Sequence, residues 1–101
     1  MAEPVPLPLL LVTVRYFGAA RSAAGVVEET VPVPASTVAE KNDRMGTVGT
    51  VVAVIADRHG AELSRVLPRC SYLLDEVAVH GPSTRVRAGQ VLDVLPPFAG
   101  G

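Results

Sequence analysis

The chain has 101 residues, of which 49% are hydrophobic, 19% are charged and only 4% are aromatic, with no tryptophan. This composition predicts one small domain with an aliphatic core and excludes a disordered chain. The net charge of −1 gives no electrostatic attraction to nucleic acid or to an anionic membrane, and the single cysteine, Cys70, excludes an internal disulfide and a multi-cysteine metal site.

The first eight residues alternate proline with small or apolar residues, which predicts a flexible, extended lead-in over residues 1–8. This segment carries Glu3 and no Lys or Arg, so it lacks the basic start of an export signal. No run in the sequence reaches the ~20 apolar residues of a membrane span. We therefore expect a cytoplasmic protein.

Two strands are predicted in the first third of the chain. Apolar alternation predicts a central strand over residues 9–17. The face predicted to be buried consists of Leu10, Val12, Val14 and Tyr16. Residues 18–25 are bounded by glycine and predict a turn or short loop, followed by a second strand over residues 26–33. Pro32 has no N–H for a ladder, so this strand should lie at a sheet edge and form an antiparallel hairpin with the first.

The middle of the chain predicts a loop and then a helix. Residues 34–49 have the weakest pattern and predict a surface loop. Thr50 resembles a helix N-cap, and Gly60 suits the position just after a helix. We interpret residues 50–60 as a helix, although their β-branched residues leave a strand as the alternative. Apolar positions at helical spacing then continue up to a proline: Leu63, Val66, Leu67 and Pro68.

The second half of the chain predicts short strands separated by turns. The predicted pieces are strands at 70–74 and 77–80 around an Asp75-Glu76 turn, a loop at 81–83, a turn at 88–90 and a last strand at 91–95. The resulting order, ββαβββ, indicates an α+β domain with one main helix packed on a mixed sheet.

The C-terminus is the most informative segment. Pro96 and Pro97 stop regular structure, and after Phe98 the residues Ala99-Gly100-Gly101 carry almost no side chain. Fully extended, residues 97–101 reach roughly 17 Å. Such a slender end can thread a narrow channel in another protein and present its α-carboxylate there, since glycine accepts backbone angles that other residues refuse. The alternative is a frayed terminus without function.

No other group of polar residues predicts an active site. Asp75 and Glu76 are neighbours, which point to opposite sides in a strand, so we interpret them as a solvated turn. His59 and His80 have no companions at ligand spacing, and Cys70 is interpreted as a structural thiol. The sequence therefore predicts no metal site, no cofactor bound by this chain and no catalytic site of its own apart from the terminal carboxylate.

Four segments resemble the small subunit of molybdopterin synthase, in the sulfur-carrier family that also includes the thiamine-pathway carrier. They are VTVRYFGAARSAAG (12–25), TVVAVIADRHG (50–60), RAGQVLDVLPP (87–97) and FAGG (98–101). The resemblance covers about residues 9–35 and 50–101, and the terminal Pro-Pro-Phe-Ala-Gly-Gly is its most specific part.

The resemblance implies a β-grasp, ubiquitin-like fold. In that fold the first and last strands lie parallel in the middle of the sheet, and the helix packs across it. The implied organisation is a lead-in over residues 1–8, one domain over 9–96 and a protruding tail over 97–101. Residues 36–49 make the connection longer than is usual in the family and are interpreted as an insertion.

The resemblance also implies a mechanism. An activating enzyme uses ATP to adenylate the carboxylate of Gly101, and sulfur then replaces AMP to give a thiocarboxylate. The tail enters the large synthase subunit, where the sulfur passes to a pterin precursor of molybdopterin.

Residue by residue, the resemblance assigns the sulfur to Gly101 and the slimness of the tail to Gly100. It implies that Phe98 anchors the tail in the partner, with the tail residues Pro97 and Ala99 beside it. It further implies that Phe17 and Arg21 face the partner proteins. Two alternatives remain open at this point: a sulfur carrier for thiamine or cysteine synthesis, and a ubiquitin-like binding module without thiocarboxylate chemistry.

Overall fold

The computed structural model describes residues 9–38 and 43–97. In chain order its elements are β1 (Leu9–Tyr16), α1 (Gly18–Ala24), β2 (Glu28–Pro34), β3 (Ser36–Val38), β4 (Asp43–Thr47), α2 (Val48–His59), α3 (Ala61–Val66), a 3-10 turn (Leu67–Arg69), β5 (Ser71–Leu74), β6 (Val77–Ala78), β7 (Arg85–Val86) and β8 (Val91–Leu95). The predicted lead-in over residues 1–8 and the last four residues lie outside these ranges. The predicted limits of the domain and of the insertion stay predictions.

A mixed five-stranded sheet has the order β2-β1-β8-β5-β6. Strands β1 and β8 are parallel, with Thr13 opposite Val91 and Tyr16 opposite Val94, and the other neighbours are antiparallel. This confirms an α+β, β-grasp fold with the first and last strands in the middle of the sheet. It also confirms the antiparallel hairpin and the edge position of the strand that contains Pro32.

The core lies between the inner face of this sheet and the helices. The side chains predicted to face inward from β1, namely Leu10, Val12, Val14 and Tyr16, are all buried. On the opposite face Leu11 is 56% exposed. Burying one valine or leucine side chain contributes about 1.5–3 kcal/mol, so the alternation fixes which way the strand faces.

Helix α2 confirms the predicted helix but begins before Thr50. Thr47 is its N-cap, and the Thr47 side chain accepts a hydrogen bond from the Thr50 backbone N–H at 3.2 Å. The helix buries Val48, Val51 and Ile55 in the core. That burial outweighs the poor helix propensity of β-branched residues, so the strand alternative is wrong.

The prediction of a turn or short loop over residues 18–25 is wrong, because helix α1 occupies most of that segment. The two glycines that suggested a loop lie at the ends of the helix. Gly18 is its first residue, and Gly25, with φ of +79°, is its C-cap and donates its N–H to the Arg21 carbonyl at 2.8 Å. Ala20 is fully buried and holds the helix against the core.

The prediction of a surface loop over residues 34–49 is also wrong, since strands β3 and β4 lie within it. They form a second sheet of order β3-β4-β7, in which Gly46 pairs with Val86. The partner strand β7 lies about 40 residues further along the chain, so no local pattern signals the pairing.

The prediction of one main helix is incomplete, because the described residues contain three. The apolar stripe at Leu63, Val66 and Leu67 belongs to the separate helix α3 and the 3-10 turn after it. Gly60, with φ of +79°, ends α2 and separates the two helices. None of the helices in residues 9–38 and 43–97 is long and apolar enough to cross a membrane.

Candidate functional site

The last strand, β8, lies in the centre of the five-stranded sheet, and the predicted tail begins just after it. Strand β8 ends at Leu95, which pairs with Ser71 of β5, and we call Leu95 and Pro96 the tail root. Pro96 is half-buried and Pro97 is exposed. The predicted site residues Phe98, Ala99, Gly100 and Gly101 lie outside the described residues. The structure therefore describes where the tail begins.

Phe17 and Arg21 lie at the same end of the sheet as the tail root. Because β1 and β8 are parallel, their C-terminal ends meet at one edge, which we call the rim. The Phe17 N–H donates to the Val94 carbonyl at 3.2 Å, and Phe17 is the N-cap of α1. Arg21 follows one helical turn later, is exposed, and donates from Nε to the Tyr16 carbonyl at 3.3 Å. Phe17 and Arg21, which are distant from residues 97–101 in the sequence, therefore lie at the same end of the sheet as the tail root.

A contact between Gly18 and Pro96 at the rim was missed by the sequence analysis. A Cβ atom placed on Gly18 would lie 2.9 Å from Pro96 Cγ, closer than real Cβ contacts. Gly18 also has φ of +52°, in the left-handed region that favours glycine. The only sequence signal for this contact is a glycine directly after the strand and its Phe17 cap.

Two residues below the rim, an ion pair joins the same two strands on the outer face of the sheet. Arg15 Nε and Nη2 donate to Asp93 Oδ1 and Oδ2 at 2.6 and 2.9 Å. Asp93 is only 5% exposed, so its carboxylate depends on this bidentate partner. The hydrogen bonds and the charge of Asp93 raise the pKa of Arg15 above its ordinary value. The pair fixes the register of β1 against β8 just before both strands end.

A second buried polar cluster centres on Glu29 of β2. Tyr16 donates its hydroxyl to Glu29 Oε2 at 2.6 Å, His59 Nε2 lies 2.5 Å from the same oxygen, and Arg58 Nε lies 3.1 Å from Oε1. Burial acts to raise the pKa of Glu29, but hydrogen bonds from Tyr16 and His59 and the nearby positive charge outweigh it and lower the pKa. Burial and the bond to Glu29 raise the pKa of Tyr16. The cluster ties the end of α2 to the β1–β2 hairpin.

The groove beside α2 has a volume of about 790 Å³ and a mostly apolar lining that includes Val52, Tyr72 and Val79. Cys70 borders it, donates from Sγ to the Val66 carbonyl at 3.3 Å, and has its pKa raised by burial. Burial also raises the pKa of Tyr72 to about 12. A thiol with a raised pKa is a weak nucleophile, so Cys70 has the chemistry of a structural residue.

The described residues contain no group of three His, Cys, Asp or Glu side chains placed to hold a metal ion. Their buried side-chain nitrogen and oxygen atoms all have hydrogen-bond partners.

Comparison with known structures agrees with this fold. The small archaeal modifier protein 1 of Haloferax volcanii is similar with a TM-score of 0.68 and 24% identity, over 90% of this chain and 99% of that one. A putative molybdopterin converting factor subunit 1 from Pyrococcus furiosus is similar with a TM-score of 0.67 and 21% identity, over 88% and 99%.

A third similar structure is a chain in the complex of subunits 1 and 2 of the molybdopterin-converting factor from Helicobacter pylori. Its TM-score is 0.58 at 25% identity, over 91% of this chain and 100% of that one. A search among curated proteins finds no match.

The model of the ThiS family matches residues 14–101, which is most of the chain and includes the last three residues of β1, the rim and residues 97–101. The fold, the parallel central strands and the position of the tail root agree with this match. The chain belongs to the ThiS family and has the ubiquitin-like β-grasp fold of the sulfur carriers.

Proposed function

We propose that this chain is a sulfur carrier for molybdopterin biosynthesis, in which the carboxylate of Gly101 is converted to a thiocarboxylate. The observation that carries this proposal is the position of the tail root. β8 runs parallel to β1 in the centre of the sheet and ends at Leu95, and the prolines that follow direct the chain away from the ladder. A rigid domain with a slender end suits a carrier whose reacting group must enter another protein's active site.

The chemistry proposed for Gly101 follows from the poor reactivity of a carboxylate as an acyl donor. Its oxygen attacks the α-phosphate of ATP in an activating enzyme, and pyrophosphate leaves. A sulfur nucleophile then attacks the acyl carbon and displaces AMP, which gives the thiocarboxylate. ATP is thus used by the activating enzyme and is not bound by this chain. We infer that the protein works in the cytoplasm, beside that enzyme and its ATP supply.

The proposed partner of the loaded carrier is the large subunit of molybdopterin synthase. The Helicobacter pylori structure is a complex of subunits 1 and 2, and its similarity to this chain supports a corresponding large subunit here. In this proposal Phe17 and Arg21 on the rim face the partner, while Phe98, with Pro97 and Ala99 beside it, anchors the tail. Gly100 allows the end of the tail to enter the narrow site.

A second candidate is a sulfur carrier for thiamine or cysteine synthesis. The match to the ThiS family model favours it as much as it favours the first candidate, because the family includes the thiamine-pathway carrier. The two candidates share the chemistry at Gly101 and differ in the protein that accepts the sulfur. Incubating the loaded carrier with each acceptor enzyme and following loss of sulfur distinguishes them.

Intact mass spectrometry tests the carrier chemistry itself. Incubation with ATP, an activating enzyme and a sulfur source should add about 16 Da, which is the exchange of one oxygen for sulfur. The extra mass should lie in the C-terminal peptide. If no candidate activating enzyme produces it, both carrier functions are wrong and the remaining alternative is a ubiquitin-like binding module.

A variant with one alanine appended after Gly101 is the matched genetic test. It should fold normally and gain no sulfur, because the reacting carboxylate is displaced by one residue from its position in the activating enzyme. A variant with one alanine added before Met1 serves as the control and should be loaded like the unmodified chain. Normal loading of the C-terminal variant would contradict the proposed role of Gly101.

A further inference from the structure

The contact between Gly18 and Pro96 involves no polar group, and neither the ion pair nor the polar cluster described above includes it. The ring of Pro96 occupies the volume in which any other residue at position 18 would place its Cβ, with Cγ 2.9 Å and Cδ 3.8 Å from that position. Gly18 lies at the start of α1, and Pro96 is the first residue after β8. The contact therefore joins the first helix to the tail root.

Pro96 has few other means of holding its orientation. It has no N–H, so it cannot extend the hydrogen-bond ladder that ends with β8. Phe17, the residue before Gly18, donates its N–H to the Val94 carbonyl at 3.2 Å. Packing of the Pro96 ring on the Cα of Gly18 is a contact that can help to set the direction in which the chain leaves the sheet.

We propose that Gly18 is a positioning residue for the tail: its missing side chain lets Pro96 pack against α1, and this contact aims residues 97–101 at the partner's active site. The inference rests on the proposed carrier function and adds a residue of α1 to those that the function requires. Pro96 and Pro97 are both restrained in φ, so a change in direction at Pro96 is carried through Pro97 to the start of residues 98–101.

Substitution of Gly18 by alanine has two effects, a clash with Pro96 and backbone strain, and the experiment must separate them. Alanine at this position meets Pro96, and it also has to adopt φ of +52°. Gly25 provides the matched control, because it lies at the other end of the same helix with φ of +79° and has nothing within 4 Å of its Cβ position. Gly25→Ala introduces backbone strain of the same kind without touching the tail root.

The kinetic test is a double-mutant cycle between Gly18→Ala and Pro96→Ala, with loading of sulfur by the activating enzyme as the readout. In the otherwise unmodified chain Gly18→Ala should reduce kcat by about tenfold or more, with KM nearly unchanged, because the tail is misdirected after docking. In the Pro96→Ala background the ring is gone, and the same substitution should change kcat by less than about twofold. Gly25→Ala should lower the melting temperature and leave kcat unchanged.

Two kinetic outcomes would overturn the inference. An equal effect of Gly18→Ala in both backgrounds would mean that the added methyl group acts through backbone strain or by blocking the partner directly. A kcat for Gly18→Ala equal to that of Gly25→Ala would mean that the contact with Pro96 has no influence on loading. All rates are measured below the melting temperature of the least stable variant, so that loss of folded protein does not enter the comparison.

Nuclear magnetic resonance of the full chain tests the same inference without any activity. The Cα–Hα residual dipolar couplings of Pro96 and Pro97 should change in Gly18→Ala, while those of Leu92 and Val94 stay as in the unmodified chain. Unchanged couplings at the two prolines would overturn the inference. If the unmodified chain gains no sulfur, the proposed function is wrong, whereas the couplings still decide whether Gly18 sets the direction of the tail root.

Discussion

Glu29 illustrates how one ionisable side chain connects three elements of this fold. Its two carboxylate oxygens contact Tyr16 of β1 and both Arg58 and His59 of α2. Because its side chain is only 13% exposed, water contributes little to its solvation. The carboxylate is stable in this place because positive charge and hydrogen bonds replace water, which is also why the pKa of Glu29 is lowered.

The lowered pKa of Glu29 predicts acid sensitivity. A group whose pKa is lower in the folded state contributes stability that is present above its unfolded-state pKa and is lost as the pH falls through its folded-state pKa. The free energy of unfolding should therefore decrease from about pH 5 towards about pH 3. Glu29→Gln should be less stable than the unmodified chain at pH 6 by about 1–2 kcal/mol, but it should lose less stability over that acid range.

Urea unfolding at pH 6, 4.5 and 3 measures this difference. Glu28→Gln is the matched control, because Glu28 is the preceding residue of β2 and its side chain is exposed. The control should follow the unmodified chain at all three pH values. Parallel pH dependence for Glu29→Gln and the unmodified chain would show that the Glu29 cluster does not contribute to acid stability.

At the scale of elements, a threonine side-chain cap marks where helix α2 begins. Thr47 and Thr50 are both plausible N-caps by residue type, and they lie three positions apart. In the structure Thr47 has extended backbone angles and its hydroxyl accepts from the Thr50 N–H, whereas Thr50 is inside the helix. The difference arises because β4 pairs with β7 as far as Thr47, opposite Arg85, so the helix begins only after that pairing ends.

The assignment of the cap predicts an asymmetry between two threonines. Thr47→Ala should lower the free energy of unfolding by about 1 kcal/mol, because the first turn of α2 loses a hydrogen-bond acceptor. Thr50→Ala should have a smaller effect, since it removes the bond between the Thr50 and Thr47 hydroxyls (3.0 Å) but keeps the bond from the Thr50 N–H to the cap. Chemical denaturation of the two variants gives the comparison, and equal losses would contradict Thr47 as the cap.

At the scale of the whole molecule, the parallel pairing of β1 with β8 sets the position of the rim. The pairing brings the first and last strands to the centre of the sheet and places Phe17, Arg21 and the tail root on one rim. Within the described residues the core runs from Leu10 to Val94, and we predict that residues 97–101 add nothing to it. Substitutions in the tail should therefore change binding to other proteins and leave the stability of the domain unchanged.

Phe98→Ala tests this separation. If Phe98 anchors the tail in the large subunit, binding should weaken by about 1–3 kcal/mol, as is usual when an aromatic anchor is truncated. The melting temperature should remain that of the unmodified chain. Isothermal titration calorimetry and thermal unfolding give the two quantities.

Leu11→Ala is the matched control for Phe98→Ala. Leu11 is apolar and 56% exposed, but it lies near the start of β1, away from the rim. It should leave affinity for the large subunit unchanged. A lowered melting temperature with unchanged affinity for Phe98→Ala would instead assign Phe98 to the core of this chain.

The sequence by itself determined the elements whose information is local. Alternating Leu10, Val12, Val14 and Tyr16 predicted the buried face of β1, and Pro32 predicted an edge strand, because side-chain direction and a missing N–H are properties of neighbouring residues. The Asp75-Glu76 turn was predicted in the same way and is found between β5 and β6. The resemblance of the terminal motif to the sulfur-carrier family predicted the fold and the family, and both predictions are confirmed.

Only the tertiary structure decided the features that depend on contacts between distant segments. β3 and β4 (Ser-Thr-Val and Asp-Arg-Met-Gly-Thr) are mostly polar and show no apolar alternation, and they form a sheet with β7 from much later in the chain. The glycines at the ends of α1 predict a loop when only the local sequence is considered. The helix is stabilised by the burial of Ala20 against the core, which is a tertiary contact. The contact of Gly18 with Pro96 joins residues 78 positions apart, as does the ion pair of Arg15 with Asp93. Such contacts come from the register of two parallel strands, which no local stretch of sequence specifies.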